Sequence, residues 1–208
     1  MDTTEQQHSG PVRASSLVTL SKAHLKNDLT AALGSLSPVQ RALIPELVDA
    51  LVSTLIEALC ARKSVRLRRI GCLAVFDKEE RNGGRNFRSG EPQVIPGRTT
   101  VTLRLRNDET AFEVGTTDLE RAMHEKVPDA NKQTVHMFFV AFLQQLKKVA
   151  QGTVRFELRG LGVFLPSFRE EKMVRDPRTG QRSLQPAHYA IRFRAGKRLI
   201  QKLNNKFD

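Results

Sequence analysis

The feature that most limits what this chain can fold into is an internal repeat. Arg81 to Arg106 reads RNGGRNFRSGEPQVIPGRTTVTLRLR, and Val174 to Gly196 reads VRDPRTGQRSLQPAHYAIRFRAG. Arg85-Asn86-Phe87-Arg88-Ser89-Gly90 falls on Arg175-Asp176-Pro177-Arg178-Thr179-Gly180, Pro96 falls on Pro186, and Val101 to Arg104 falls on Ile191 to Arg194. Each copy sets a basic tip, punctuated by Gly and Pro, between two β-prone runs, which is the pattern of a long hairpin arm. After each tip, Val101, Leu103 and Leu105 alternate with Arg104 and Arg106, and Ile191 and Phe193 alternate with Arg192 and Arg194. Such alternation puts cations on one face of a ribbon and an apolar row on the other. A ribbon with one cationic face suits a nucleic-acid groove.

A chain of 208 residues that repeats in this way divides into two units of about 90 to 100 residues. Units so small bury little core alone, and a tandem copy supplies a partner to share one. The expected organisation is a disordered tail over 1–17, a first unit over 18–115 with its arm at about 77–104, and a second over 116–208 with its arm at about 167–194.

The net charge is +12 and the pI near 10.3. Its distribution is uneven: Met1 to Gly115 holds 16 basic against 13 acidic residues, and Thr116 to Asp208 holds 18 against 9. Within the first half, Arg62 to Arg106 holds 12 against 4, so the surplus sits in the β-rich segments. Clustered positive charge implies a polyanion partner, of which nucleic acid is the commonest. A membrane surface fits less well, because the basic segments lack an amphipathic helix with a large apolar face. Cys60 and Cys72 stand in apolar settings without metal-ligand spacing, as expected of small buried thiols in a reducing compartment rather than a disulfide. MDTTEQQHSGPVRASS has no apolar segment that would make it a secretion signal or an anchor, and no later run is long and apolar enough to span a bilayer.

Along the chain, Ser21 is placed to cap a helix from Lys22 to Leu33, with Leu25, Leu29 and Leu33 on one face. Ser37, with Pro38 at the first helical position and Gln40 three residues on, opens another. Leu43, Leu47, Leu51, Leu55 and Leu59 recur at helical spacing among further apolar residues, which predicts a buried helix. Pro45 either kinks it or marks where the long helix begins. Val65 to Arg68 and Cys72 to Phe76 read as strands around a tight point at Gly71, and Asn107 to Val114 as a short helix. In the second unit, Thr117-Asp118-Leu119-Glu120 reads as a capping box opening a helix that stops before Pro128. Asp129 is expected to cap the next, whose Phe138, Phe139 and Phe142 belong to the core. Phe156 to Phe164 repeats the strand pair with Gly160 at the position of Arg69, and Lys197 to Leu203 reads as a terminal basic helix.

Two helices, a strand pair joined at a glycine-rich turn, a basic arm and a closing helix resemble the HU/integration host factor family of bacterial nucleoid proteins, from about Leu20 to the C-terminus, twice. In the second unit the resemblance rests on Gly160-Leu161-Gly162-Val163-Phe164, Arg175-Asp176-Pro177-Arg178-Thr179-Gly180 and Phe193-Arg194-Ala195-Gly196-Lys197. The first unit keeps Gly84-Arg85-Asn86 but has Phe87 where the family has proline, and Leu103-Arg104-Leu105-Arg106 in place of the Phe-Arg-Ala-Gly run. Because family members are normally intertwined dimers, the resemblance implies an α+β fold in which one chain forms the whole pseudo-dimer, with a helical body and two arms. It further implies double-stranded DNA as partner, no cofactor, and a nucleoid-associated, cytoplasmic location. Phe87 and Pro177 would be wedges inserted between base pairs from the minor groove. Arg81, Arg85, Asn86, Arg88, Arg98, Arg175, Arg178 and Arg182 would contact the backbone from the arms. Arg66, Arg68, Arg155 and Arg159 are expected to line the saddle between the arms, while Lys197 and Arg198, with the helix starts at Ser21 and Lys197, would meet phosphates from the body.

Other readings stay open at this level. The strand arginines could pair with helix carboxylates, and for Arg69 and Arg104 the sequence does not choose. The fused scaffold could serve a nucleoprotein assembly with incidental DNA affinity, or bind double-stranded RNA. Catalysis finds no motif: there is no phosphate loop followed by Lys-Ser/Thr, no nucleophile elbow, no His-Glu-x-x-His and no Cys-x-x-Cys. His24, His124, His136 and His188 lack ligand spacing.

Overall fold

The structure is a computed structural model and describes residues 17–85, 88–104, 112–176 and 178–204, with only the backbone of Gly84 and Arg85. In chain order the first half forms β1 (Val18–Leu20), α1 (Lys22–Ala32), α2 (Pro38–Ala42), α3 (Ile44–Cys60), β2 (Val65–Leu67), β3 (Gly71–Lys78), β4 (Arg81–Arg85), β5 (Pro92–Ile95) and β6 (Arg98–Arg104). The second half forms α4 (Thr116–Lys126), α5 (Lys132–Val149), β7 (Val154–Leu158), β8 (Gly162–Arg169), β9 (Lys172–Arg175), β10 (Arg182–Gln185), β11 (His188–Ala195) and α6 (Lys197–Asn204). Among the described residues no helix is long and apolar enough to cross a membrane.

Local chemistry explains most helix boundaries. Gln40 donates its backbone N–H to Ser37 Oγ at 3.3 Å, with Pro38 in the first turn of α2. Of the two options for Pro45, the structure takes the second: α3 starts afresh at Ile44, and Pro45 sits in its first turn, where a missing N–H leaves no hydrogen bond unmade. Two caps lie elsewhere than the sequence suggests. In place of the box expected to start at Thr117, the Asp118 carboxylate accepts the N–H of Gly115 at 2.9 Å, and α4 opens at Thr116. Asn131, not Asp129, caps α5, its side chain accepting the Thr134 N–H at 2.8 Å. Asp129 is held in the preceding turn by the other half of the chain. Gln40 Nε2 donates to the Asp129 carbonyl at 3.0 Å, and Gln40 Oε1 accepts the Asn131 N–H at 3.1 Å.

The two body sheets have the strand orders β2-β3-β6 and β1-β7-β8-β11. β1 belongs to the first half yet pairs in parallel with β7, through Val18–Val154, Thr19–Arg155 and Leu20–Phe156. The segment leading into α4 returns the exchange. Val114 bridges Val65 on β2, and Arg66 donates its N–H to the Val114 carbonyl at 2.9 Å. The stretch just before the first helix of each unit thus lies on the outer strand of the other unit's sheet, satisfying an edge that would otherwise be bare. The short helix expected over Asn107 to Val114 is accordingly absent from Phe112 to Val114, because the backbone groups there are engaged by Ser64 and Arg66; Asn107 to Ala111 lie outside the described residues.

One buried cluster takes side chains from both halves, among them Leu25, Leu51 and Leu55 with Phe138, Phe142, Phe156 and Phe164. The helices interleave across the halves: α3 packs on α4 and α6, α1 packs on α5, and β6 lies beside β11. The Phe138, Phe139 and Phe142 band is core, as its spacing predicts. Glycine is required where strands cross closely at the sheet corners. A Cβ on Gly71 would stand 2.5 Å from the Arg104 carbonyl oxygen, and one on Gly162 would meet the Arg194 carbonyl in the same way. Cys60 and Cys72 are free thiols and only half-buried. Cys72 misses the core because it faces outward from β3, level with Arg66 and Arg104, while its neighbour Leu73 points inward.

Candidate nucleic-acid interface

Both arms are two-stranded antiparallel ribbons, and they are not identical. In the second, β9 and β10 pair without interruption, as Lys172–Gln185, Met173–Leu184, Val174–Ser183 and Arg175–Arg182. The first pairs Arg81 with Ile95 and Asn82 with Val94, then shifts register so that Gly84 meets Gln93. Gly83, at φ 121°, is the extra residue of a β-bulge, a device that bends and twists a ribbon locally.

At the second tip the backbone is tightly organised. Gly180 donates its N–H to the Asp176 carbonyl at 2.8 Å, Asp176 donates to the Gln181 carbonyl at 2.8 Å, and Asp176 Oδ1 accepts the Arg178 N–H at 2.8 Å. The Arg178 amide holds the Asp176 carboxyl below the ordinary carboxylate range. Arg175 Nε donates to the Gly180 carbonyl at 3.2 Å. Arg81, Arg88, Arg98, Arg175, Arg178 and Arg182 are all exposed. Phe87, Pro177 and Asn86, and the side chain of Arg85, lie outside the described residues.

Charge placement distinguishes the arms from the body. Arg175 stands directly opposite Arg182 across the second arm, and Lys78 directly opposite Arg98 at the root of the first. Like charges at opposed positions destabilise a free ribbon. On the helices the pattern is reversed: Lys22 and Lys26 pair with Asp49, Lys126 with Glu57, and Arg121 with Asp118. Among the described residues, no salt bridge engages Arg81, Lys78, Arg98, Arg175, Arg178 or Arg182.

Between the arm roots, β6 and β11 wall an open groove lined by Lys78, Arg98, Thr100 and Thr102 of the first half and Arg192 and Arg194 of the second. The four strand arginines expected in this saddle are placed differently. Arg66 and Arg68 line an outer hollow with Arg69, Phe112 and the start of α4, and Arg66 lies over the Phe112 ring at 4.7 Å. Arg159 shares a hollow with Lys197 and Arg198 at the start of α6, and Arg155 Nε donates to Thr19 Oγ1 at 2.6 Å across the β1–β7 seam. The cause is sheet order: β2 and β7 stand at the far side of each sheet from β6 and β11. Arg192, Arg194 and Lys78 are the groove residues that sequence reasoning did not single out, although the alternation of Arg192 and Arg194 with Ile191 and Phe193 already put the two arginines on one face. No described carboxylate forms a salt bridge with Arg66, Arg68, Arg69 or Arg104. At the start of α1, Ser21 turns its N–H onto His24 Nδ1 at 3.3 Å. Cys72 sits among these cations with its thiol pushed up by burial and drawn part-way back by Arg104 and Arg66.

Comparison with known proteins agrees with this duplicated layout. The integration host factor subunit beta of Histophilus somni (strain 2336) is 37% identical over 62 residues, covering 30% of this chain and 66% of its own, just under two thirds of its length. The same subunit from Halorhodospira halophila is 30% identical over 88 residues, 42% of this chain and 86% of its own. A solved Anabaena HU–DNA cocrystal structure covers 41% of this chain and 92% of its own at 26% identity, with a TM-score of 0.36. The family model described as bacterial DNA-binding protein matches twice, over residues 21–108 and again over 115–204. The chain therefore belongs to the bacterial DNA-binding protein family and carries that family's unit in tandem.

Proposed function

We propose that this protein is a DNA-bending architectural protein of the nucleoid, one chain doing the work of a dimer. Its arms lie along the minor groove on either side of the β6–β11 groove. The observation that carries this reading is the set of opposed cations, Arg175 with Arg182 in the second arm and Lys78 with Arg98 at the root of the first, unbridged by carboxylates among the described residues, the latter pair lining a cationic groove built from both halves. An array of that kind is costly in the free protein and is relieved by a polyanion, whose condensed counterions are released on binding.

In the bound state, Arg81, Arg85, Asn86, Arg88 and Arg98 contact the backbone and groove from the first arm, and Arg175, Arg178 and Arg182 from the second. Phe87 and Pro177 are the wedges, apolar surfaces that replace part of the stacking they disrupt; unstacking costs a few kcal/mol per step. Bent flanks offset that cost by reaching the body, where Arg66, Arg68, Arg155, Arg159, Lys197 and Arg198 stand on its outer sides. Units meeting at 18–115 and 116–208 within one chain make a second chain unnecessary, and the protein acts in the cytoplasm as a monomer.

Fluorescence transfer on an end-labelled duplex of a few tens of base pairs tests the reading. The ends approach on binding, and the complex weakens steeply with salt. An unchanged end-to-end distance at saturation would remove bending. Loss of duplex DNA at physiological salt would leave only an interaction scaffold, and tighter binding of duplex RNA would reassign the ligand.

A further inference from the structure

The two arms leave the body through roots of different chemistry. Asp77 and Thr99 stand opposite one another across β3 and β6, and Phe168 and Tyr189 stand opposite one another across β8 and β11. Just past the helix that feeds each sheet, Arg62 (φ 60°) in the first half occupies the place of Gly152 (φ 84°) in the second. Position for position, Arg62, Asp77 and Thr99 correspond to Gly152, Phe168 and Tyr189.

Each trio is complementary within itself. In the first half Arg62 Nη1 reaches Asp77 Oδ2 at 2.8 Å, and Arg62 Nη2 donates to Thr99 Oγ1 at 3.3 Å. That hydroxyl in turn donates to Asp77 Oδ1 at 2.5 Å. Asn204, from the last turn of α6 in the other half, closes the set. Its Oδ1 accepts the Thr99 N–H at 2.7 Å and its Nδ2 donates to the Thr99 carbonyl at 2.9 Å, as an added strand would. In the second half the Tyr189 ring meets Phe168 edge-on, centroids 5.2 Å apart, and lies against Gly152. A Cβ at Gly152 would come within 2.6 Å of that ring, so the glycine makes room for the tyrosine as the arginine serves the aspartate.

We propose that Arg62, Asp77, Thr99 and Asn204 are positioning residues that lock the angle of the first arm through directional hydrogen bonds, while the second arm turns on the Phe168–Tyr189 aromatic hinge. The two arms of one chain therefore yield to different conditions. The Arg62–Asp77 pair is more than half exposed, at 58% and 60%, and salt screens it. Apolar ring packing is not weakened that way. The consequence for DNA, an arm pair that loosens one side at a time, rests on the proposed function; the lock itself does not.

Electron–electron double resonance on the free protein tests it. With Cys60 and Cys72 replaced by serine, nitroxides are attached at Gln144→Cys on α5 and either Ser89→Cys or Thr179→Cys at an arm tip. Asp77→Asn, Thr99→Val and Asn204→Ala are expected to widen the 89–144 distance distribution by about twofold and to leave 179–144 unchanged. Thr99→Ser, which keeps the hydroxyl, retains the narrow distribution, and Tyr189→Ala widens only 179–144. Unaltered 89–144 widths in all three variants, or equal widening of both arms, would overturn the proposal. Should the widths behave as expected while the wild-type chain leaves DNA unbent, the lock stands and the proposed function fails.

Discussion

Arg182→Gln isolates the central electrostatic claim. Arg182 is exposed, faces Arg175 across the second arm, and among the described residues makes neither a salt bridge nor a side-chain hydrogen bond. Its removal therefore costs the free protein nothing, and relieving the like-charge pair gains a fraction of about 1 kcal/mol. If it neutralises one phosphate, the slope of log affinity against log salt becomes shallower by about 0.9, so the affinity lost between about 50 and 200 mM salt shrinks by roughly 3.5-fold. Arg175→Gln/Arg182→Gln doubles the change in slope, to a factor of roughly 12. Lys26→Gln is the control: Lys26 already pairs with Asp49 on the helical body, and its slope stays at the wild-type value. Fluorescence anisotropy of a labelled duplex across a salt series, with a thermal melt of each free variant, reads both quantities. A wild-type slope in the double variant, or a melt of Arg182→Gln lowered by more than the control's, would refute the assignment of these arginines to phosphate; the melt of the double variant does not bear on it, because Arg175 also holds the Gly180 carbonyl.

Phe87→Ala and Pro177→Ala reduce the bend, read by end-to-end fluorescence transfer, more than they reduce affinity; equal losses would make the tips ordinary contacts. Thr54 is buried in α3 with its hydroxyl unpartnered among the described residues, so the isosteric Thr54→Val raises unfolding stability by about 1 kcal/mol in chemical denaturation. Gly162→Ala drives a Cβ into the Arg194 carbonyl and the Phe193 ring at a positive φ, and lowers stability by roughly 2 kcal/mol or more in the same measurement. The matching substitution at Gly34, where a Cβ meets its nearest neighbour at an ordinary 3.5 Å, is the benign comparison.

How much of this was legible before folding follows from the range of each signal. The two arms, the leucine and phenylalanine faces of α1, α3 and α5, and the tight point at Gly71 come from periodicity and turn chemistry within a dozen residues, which any short window displays, and the duplication from laying two such windows over one another. The cap of α5 was displaced because Gln40, about ninety residues away, holds the turn before Asn131, whereas α4 opens early, at Thr116, on the local bond from Gly115 to Asp118. The segments at Val18–Leu20 and Val114 are too short to carry a period. They become strand-like only because an outer strand, β7 or β2, presents a bare edge beside them.

From its residues alone the chain was bound to build two like units with cationic ribbons, since alternation and one-signed charge are local properties that survive any docking. Which cations share a groove was decided only when the sheets assembled. Strand order put β6 beside β11, so that Lys78 and Arg98 face Arg192 and Arg194, while Arg66, Arg68, Arg155 and Arg159 went to the outer flanks. The same assembly made the arm roots unlike, because an arginine needs a carboxylate within reach where a tyrosine needs a glycine. Such partnerships join side chains far apart in the chain, and only a shared core brings them within a hydrogen bond of one another.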